Sequence, residues 1–128
     1  MRAAFGRYLD VDLSAGRIQE YAVPARWYDL HLGGKGIGAR ILLAELTGKE
    51  DPLSPENILV FATGPFQGTG LMGAGRHAVL ALSPKTRSVA DSYVGGYFGH
   101  ELGRSGYDGI IVRGRADTPV YILSLIHI

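Results

Sequence analysis

Glycine accounts for 19 of the 128 residues, and residues 64–99 set two glycine-rich loops on either side of one apolar segment. The first loop reads Gly64-Pro65-Phe66-Gln67-Gly68-Thr69-Gly70-Leu71-Met72-Gly73-Ala74-Gly75-Arg76, and the second reads Val94-Gly95-Gly96-Tyr97-Phe98-Gly99. Without a Cβ the backbone itself can come close to a ligand, which is how many chains hold phosphates or flat cofactors. Any fold must therefore bring these loops to a surface where that approach is open.

A chain of 128 residues makes one ordinary domain and buries roughly two-thirds of its unfolded surface, enough for a real core. Cysteine is absent, so this segment alone supplies no disulfide framework, thiolate zinc site or iron-sulfur cluster. Basic residues number 13 against 12 acidic ones, spread along the chain. They form no stripe able to track a phosphate backbone, and nucleic acid is not an expected partner. No apolar run precedes the charges at Arg7, Asp10 and Asp12, and no run of about eighteen apolar residues follows. The expectation is a cytoplasmic protein with neither secretory signal nor membrane span.

Tyr8, Val11 and Leu13 lie before the turn former Gly16, and Ile18 and Tyr21 after it, which reads as a hairpin with a left-handed glycine. Val23-Pro24 begins a short helix through Trp27 and Leu30 that Gly33-Gly34 interrupts. Residues 36–46 read as a second helix, apolar nearly all round, to be buried between layers or beneath a further domain. After a connector over 51–57 with two prolines, residues 58–62 read as an inner strand, 77–82 as a second strand stopped by Ser83-Pro84, and 88–93 as a third. Phe98 and Leu102 form an i, i+4 pair on a third helix capped by Gly106, and residues 109–112 and 118–122 are expected to form a terminal hairpin. The fold class is α+β, with mixed, mainly antiparallel β-sheets and three short helices. Residues 1–122 form the expected domain. Residues 123–128 are apolar, lack a charge and resemble the translated end of a transposase adaptor, so they stand outside the fold argument.

Three motifs carry chemistry. Gly68-x-Gly70-x-x-Gly73 matches a dinucleotide fingerprint, which needs a strand leading in and a helix leading out; here Pro65 and Gln67 intervene and the outgoing residues alternate like a strand. A nicotinamide-dinucleotide-binding oxidoreductase domain would use it, and a stand-alone β-rich binding module would not. Gly33-Gly34-Lys35-Gly36-Ile37-Gly38 could nest an anion, although close helix packing accounts for its glycines as well. Asp91-Ser92-Tyr93-Val94-Gly95-Gly96 places turn formers and glycines before a helix, while Arg76 closes the other loop with a planar fork suited to phosphate or a flat ring. His31, His77 and His100 lack metal-ligand spacing.

The run Gly6-Arg7-Tyr8-x-x-Val11-Asp12-Leu13-Ser14-x-Gly16, then Asp51-Pro52-Leu53-Ser54-Pro55-Glu56-Asn57, Gly64-Pro65-x-x-Gly68-Thr69, Gly75-Arg76, Ser83-Pro84, and Gly95-Gly96-Tyr97-Phe98-Gly99-x-Glu101-Leu102-x-x-x-Gly106-Tyr107-Asp108 resembles the amino-terminal domain of the aldehyde ferredoxin oxidoreductases. The resemblance covers residues 6 to about 122 in order. It implies the base domain of a larger enzyme, with two β-sheets carrying a tungsten, or sometimes molybdenum, bis-pterin cofactor. By the same resemblance Arg76 and the loop of Tyr93, Gly95 and Gly96 contact the pterins, and a magnesium ion at Tyr93 joins their phosphates. That position is often asparagine in the family: a backbone carbonyl can come from tyrosine, an asparagine side chain cannot.

The resemblance further implies that the intact enzyme oxidises aldehydes to carboxylates and passes electrons to ferredoxin. A [4Fe-4S] cluster would be held by cysteines in later domains, a homo-oligomer is compatible with the full length, and this fragment alone is expected to be inactive.

Overall fold

The computed structural model describes residues 4–123. The first hairpin joins β1 (Arg7–Asp12) to β2 (Arg17–Ala22), with Asp12 facing Arg17 at its closed end. Asp12 Oδ1 accepts the Ser14 and Ala15 amides, and Gly16 takes a φ of 61° that an L side chain would resist. After Pro24 come α1 (Ala25–His31) and α2 (Lys35–Glu45). Then follow β3 (Ile58–Ala62), β4 (His77–Leu82) and β5 (Val89–Val94), an antiparallel meander, and finally α3 (Phe98–Arg104) and β6 (Gly109–Arg113). None of the helices among the described residues is long and apolar enough to cross a membrane.

All six strands belong to one sheet, ordered β2-β1-β6-β3-β4-β5, and only the β1–β6 pair is parallel. The two sheets implied by the resemblance are therefore one among the described residues. The terminal hairpin expected from 109–112 and 118–122 does not form either. Both edges of β6 are already taken, by β1 and by β3, so no ladder position remains for a following strand. Val120, Tyr121 and Ile122 instead lie over the sheet face lined by Leu9, Val11, Ile110 and Val112. Residues 124–128, most of the tail set apart above, lie outside the described residues.

Alternation along the strands decides which face is covered. Ile58, Val60 and Ala62 of β3 and Ala78 and Leu80 of β4 point to the same side and meet Ile37, Ile41 and Leu42 of α2. Contact is close enough that a Cβ at Gly38 would stand 2.5 Å from Leu80 Cδ1. The helix is buried on this side only, since Leu43 remains 69% exposed despite the apolar sequence around it. Arg113 of β6 ties the same layer together, reaching Asp10 on β1 at 2.8 Å and Glu45 on α2 at 3.1 Å. On the opposite face α3 packs Phe98 against Phe61 and His77, with ring centroids 5.9 and 5.1 Å away.

One buried carboxylate closes the sheet. Asp108, just before β6, accepts the Phe5 amide at 2.9 Å, the Gly6 amide at 2.7 Å and the Tyr28 hydroxyl at 2.6 Å. Its own amide donates to the Arg7 carbonyl and its carbonyl accepts both the amide and the hydroxyl of Thr63. Burial, then the bond to Asp108, pushes the Tyr28 phenol well above its ordinary value of 10.0.

Tyr28→Phe should cost about 1.5–3 kcal/mol in a urea titration, the range for a hydrogen bond to a charged partner, and Asp108→Ala should cost more because it strands three donors. The contribution of the Tyr28 bond is whole below pH 10 and declines as pH rises above it, since the phenol loses its proton more readily in the unfolded chain. Equal pH dependence of wild type and Tyr28→Phe in alkaline solution would contradict this.

Candidate functional site

Antiparallel pairing brings the two glycine loops to one end of the sheet. His77 opens β4 opposite Val94, the last residue of β5. Arg76 immediately before and Gly95 immediately after therefore leave the sheet side by side. Arg76 is exposed and makes no ion pair with a carboxylate among the described residues. A Cβ built at Gly95 or Gly96 would meet nothing within 4 Å, so the ground above these glycines is open, and Gly96 has a φ of 86°. Tyr93 is 53% exposed and faces Ala78, which puts it on the α2 side of the sheet.

The third motif arrives at the same end. Gly34 donates to the Thr63 carbonyl at 2.9 Å, and a Cβ at Gly33 would stand 3.0 Å from the Pro65 ring. Close packing thus accounts for glycine at position 33, and a φ of 52° accounts for it at position 34. Lys35 then extends to Asp91 on β5, 2.9 Å away and on the same face as Tyr93. The hydrogen bond that Lys35 donates to Asp91, followed by the carboxylate's charge, raises the Lys35 pKa. Lys35 and Asp91 belong to separate motifs in the sequence, and only the fold pairs them.

Gly68-x-Gly70-x-x-Gly73 leads into β4, not into a helix. The amino-terminal amides and dipole that hold a pyrophosphate in a dinucleotide fold are missing there, so the nicotinamide reading fails on geometry. Those glycines serve turns, with φ values of 82°, 82° and 87°. Gly68 also rests on α3, where a Cβ would come 2.9 Å from the Gly103 carbonyl carbon.

What holds the first loop to α3 is a face of two glycines one turn apart, Gly99 and Gly103. A Cβ at Gly103 would stand 2.7 Å from the Gln67 carbonyl oxygen, and one at Gly99 would collide with the Gln67 side chain and come 2.8 Å from His77 Nδ1. Gln67 and His77 are both buried. Sequence reasoning passed over Gln67; its signal was a long polar side chain set among glycines. His100 and Glu101 lie on α3, where Glu101 pairs with Arg104 at 3.6 Å.

Arg76, Gly95 and Gly96 therefore share one open surface: a planar cation without a carboxylate partner among the described residues, beside backbone that a flat anionic group can approach. Such a group fits here. A magnesium contact at Tyr93 would rest on its carbonyl, because a phenol is a poor substitute for an amide oxygen as a ligand to a hard cation.

A family model described as aldehyde ferredoxin oxidoreductase, N-terminal domain, matches residues 8–125. The chain is 48% identical over 118 residues to the tungsten-containing aldehyde ferredoxin oxidoreductase of Pyrococcus horikoshii, covering 92% of this chain and 19% of that protein. It is 38% identical over 125 residues to the aliphatic sulfonate oxidoreductase, WOR-like subunit, of Pyrococcus furiosus, covering 95% and 20%. Among solved structures it is similar to the active site complex BamBC of benzoyl coenzyme A reductase with 1,5 dienoyl-CoA, at a TM-score of 0.86 and 41% identity over 91% of this chain and 18% of that one. The chain spans about a fifth of the length of these curated relatives.

The glycines at the two ends of the second loop should separate by substitution. Gly99→Ala overfills a packed contact and should cost about 1–3 kcal/mol, whereas Gly95→Ala meets open space and should stay within about 0.5 kcal/mol. Urea midpoints read both, and equal losses would show that α3 does not seat the loop as described.

Proposed function

The chain belongs to the aldehyde ferredoxin oxidoreductase family as its amino-terminal domain, and from that premise we propose that it grips the bis-pterin cofactor of a tungsten enzyme. The observation that carries the proposal is Arg76 beside Gly95 across the β4–β5 hairpin, exposed and without a carboxylate partner among the described residues. Its guanidinium would fix a pterin by charge and by its planar fork. Gly95 and Gly96 would let the flat ring reach the backbone, and the Tyr93 carbonyl would be the residue's contact for magnesium.

When bound, the tungsten or molybdenum dithiolene centre supplies the oxidation chemistry, and the domain's share is placement and electrostatic tuning. The enzyme of which this domain is a part would oxidise aldehydes to carboxylates in the cytoplasm and pass electrons to ferredoxin through a [4Fe-4S] cluster. Since this sequence contains no cysteine, that cluster takes its ligands from elsewhere. Substrate selection lies elsewhere as well. Relatives 48% and 38% identical to this chain are named as an aldehyde ferredoxin oxidoreductase and an aliphatic sulfonate oxidoreductase.

Arg76→Gln in the full-length enzyme should lower retained tungsten about tenfold or more after gel filtration, read by elemental analysis. That corresponds to losing a charge-assisted hydrogen bond of about 1.5–3 kcal/mol. Arg76→Lys keeps the charge, loses the fork and should fall between. Unchanged tungsten in both variants would remove Arg76 from the site. The 128-residue chain alone should not reduce a viologen dye with aldehyde, and turnover by it would overturn the division of labour described above.

A further inference from the structure

Two buried polar atoms converge beneath the loop that carries Arg76. Gln67 is 6% exposed and His77 3% exposed, and among the described residues neither Gln67 Nε2 nor His77 Nδ1 has a hydrogen-bond partner. Both crowd the same point beside α3, the place a Cβ at Gly99 would occupy. The amide cannot be turned round freely. Gln67 Oε1 accepts the Gly64 amide at 3.2 Å, so the donor end of the side chain is the end turned toward His77. An amide N–H and an imidazole nitrogen are complementary only while that nitrogen is bare.

We propose that Gln67 and neutral His77 form a latch across Gly99, directly or through one water, that positions the Arg76 loop, and that a proton on His77 Nδ1 opens it. In the closed form the ring proton resides on Nε2 and Nδ1 accepts from Gln67. In the protonated form Nδ1–H faces the amide N–H, two donors oppose each other, and the 64–75 loop loses its hold on α3.

The surroundings leave this pair to itself. Phe61 of β3 and Phe98 of α3 flank the imidazole at 6.5 and 5.1 Å, and Val94 of β5 lies opposite. Of the charged or titratable residues on α3, Glu101 and Arg104 pair with each other and His100 is half-buried, while neighbouring Arg76 is exposed. Burial alone lowers the His77 pKa below its ordinary 6.5. His77 also points away from Tyr93, to the other face of the sheet. A histidine kept neutral by folding contributes stability that is whole above about pH 6.5 and declines as the pH falls below it.

The test is nitrogen NMR with amide hydrogen exchange on the 128-residue chain without cofactor. At pH 8 the His77 proton should sit on Nε2. As pH falls through the His77 titration, protection of the 64–75 amides, corrected for intrinsic exchange, should drop about tenfold while the β1–β2 amides hold. Gln67→Glu replaces the donor by a carboxylate that accepts from the imidazolium. It should raise the His77 pKa and reverse the dependence, leaving the loop better protected at low pH. A His77 proton on Nδ1 at pH 8, or pH-independent loop protection, overturns the proposal, and both readings come from the wild type should the variant not fold. The latch rests on the cofactor reading only for its consequence at Arg76. Tungsten loss in Arg76→Gln tests that reading separately.

Discussion

A carboxylate taken out of water must be met by donors, and at Asp108 those donors come from two separate parts of the chain while its carbonyl draws in a third. The segment before β1 gives two backbone amides, α1 gives the Tyr28 hydroxyl, and the Asp108 carbonyl receives Thr63 from the far side of β3. Because each group would be costly if left alone, the hairpin, the helical layer and the glycine loop are held in one arrangement. Thr63 begins the loop that ends at Arg76, so the same node fixes where that loop departs from the sheet.

From that departure the rest of the site is a matter of geometry. A meander of antiparallel strands sends alternate connections to opposite ends, and the β3–β4 loop and the exit of β5 fall at the same one. Gly33 and Gly34 arrive there because α2 crosses β3 and β4 with its amino terminus against Thr63 and Pro65. Three glycine motifs separated in sequence thus become neighbours. Two of them need glycine for contact with protein, the loop on α3 and the α1–α2 turn on Pro65. Gly95 and Gly96 face open space, as do Gly70, Gly73 and Gly75 of the first loop.

Local patterns were legible where one face of an element is buried. The run Ile58–Ala62 and the alternation His77–Leu82 read as strands because period two and apolar content agree. Pro24, Gly16 and Gly106 likewise punctuated the chain where they were expected to. Pairing beyond the first hairpin was not legible. Residues 118–122 look as strand-like as 109–112, and what excludes them is that β1 and β3 already occupy both edges of β6, a fact of the whole sheet. The Lys35–Asp91 pair, the donors around Asp108 and the meeting of Gln67 with His77 are hidden for the same reason. Each joins residues whose nearness exists only after the sheet has formed. The family resemblance pointed to Arg76 and the Tyr93 to Gly96 loop, but the two-sheet expectation it brought gave way to one sheet in the described residues.

The parallel pairing of β1 with β6 also sets a timetable. Gly6 and Asp108 lie 102 positions apart, and a ribosome adding about 5–20 residues per second needs about 5–20 s to span that gap. For all that time the first hairpin has left the exit tunnel without its neighbour, and Tyr8, which ends wholly buried, has no core to enter. The meander of β3, β4 and β5 uses near neighbours and can assemble early, whereas the sheet as a whole waits for β6, the last element among the described residues. Nascent chains of this domain therefore spend seconds as two unjoined halves, and a chaperone that shields the first hairpin would meet its client before residue 109 is made.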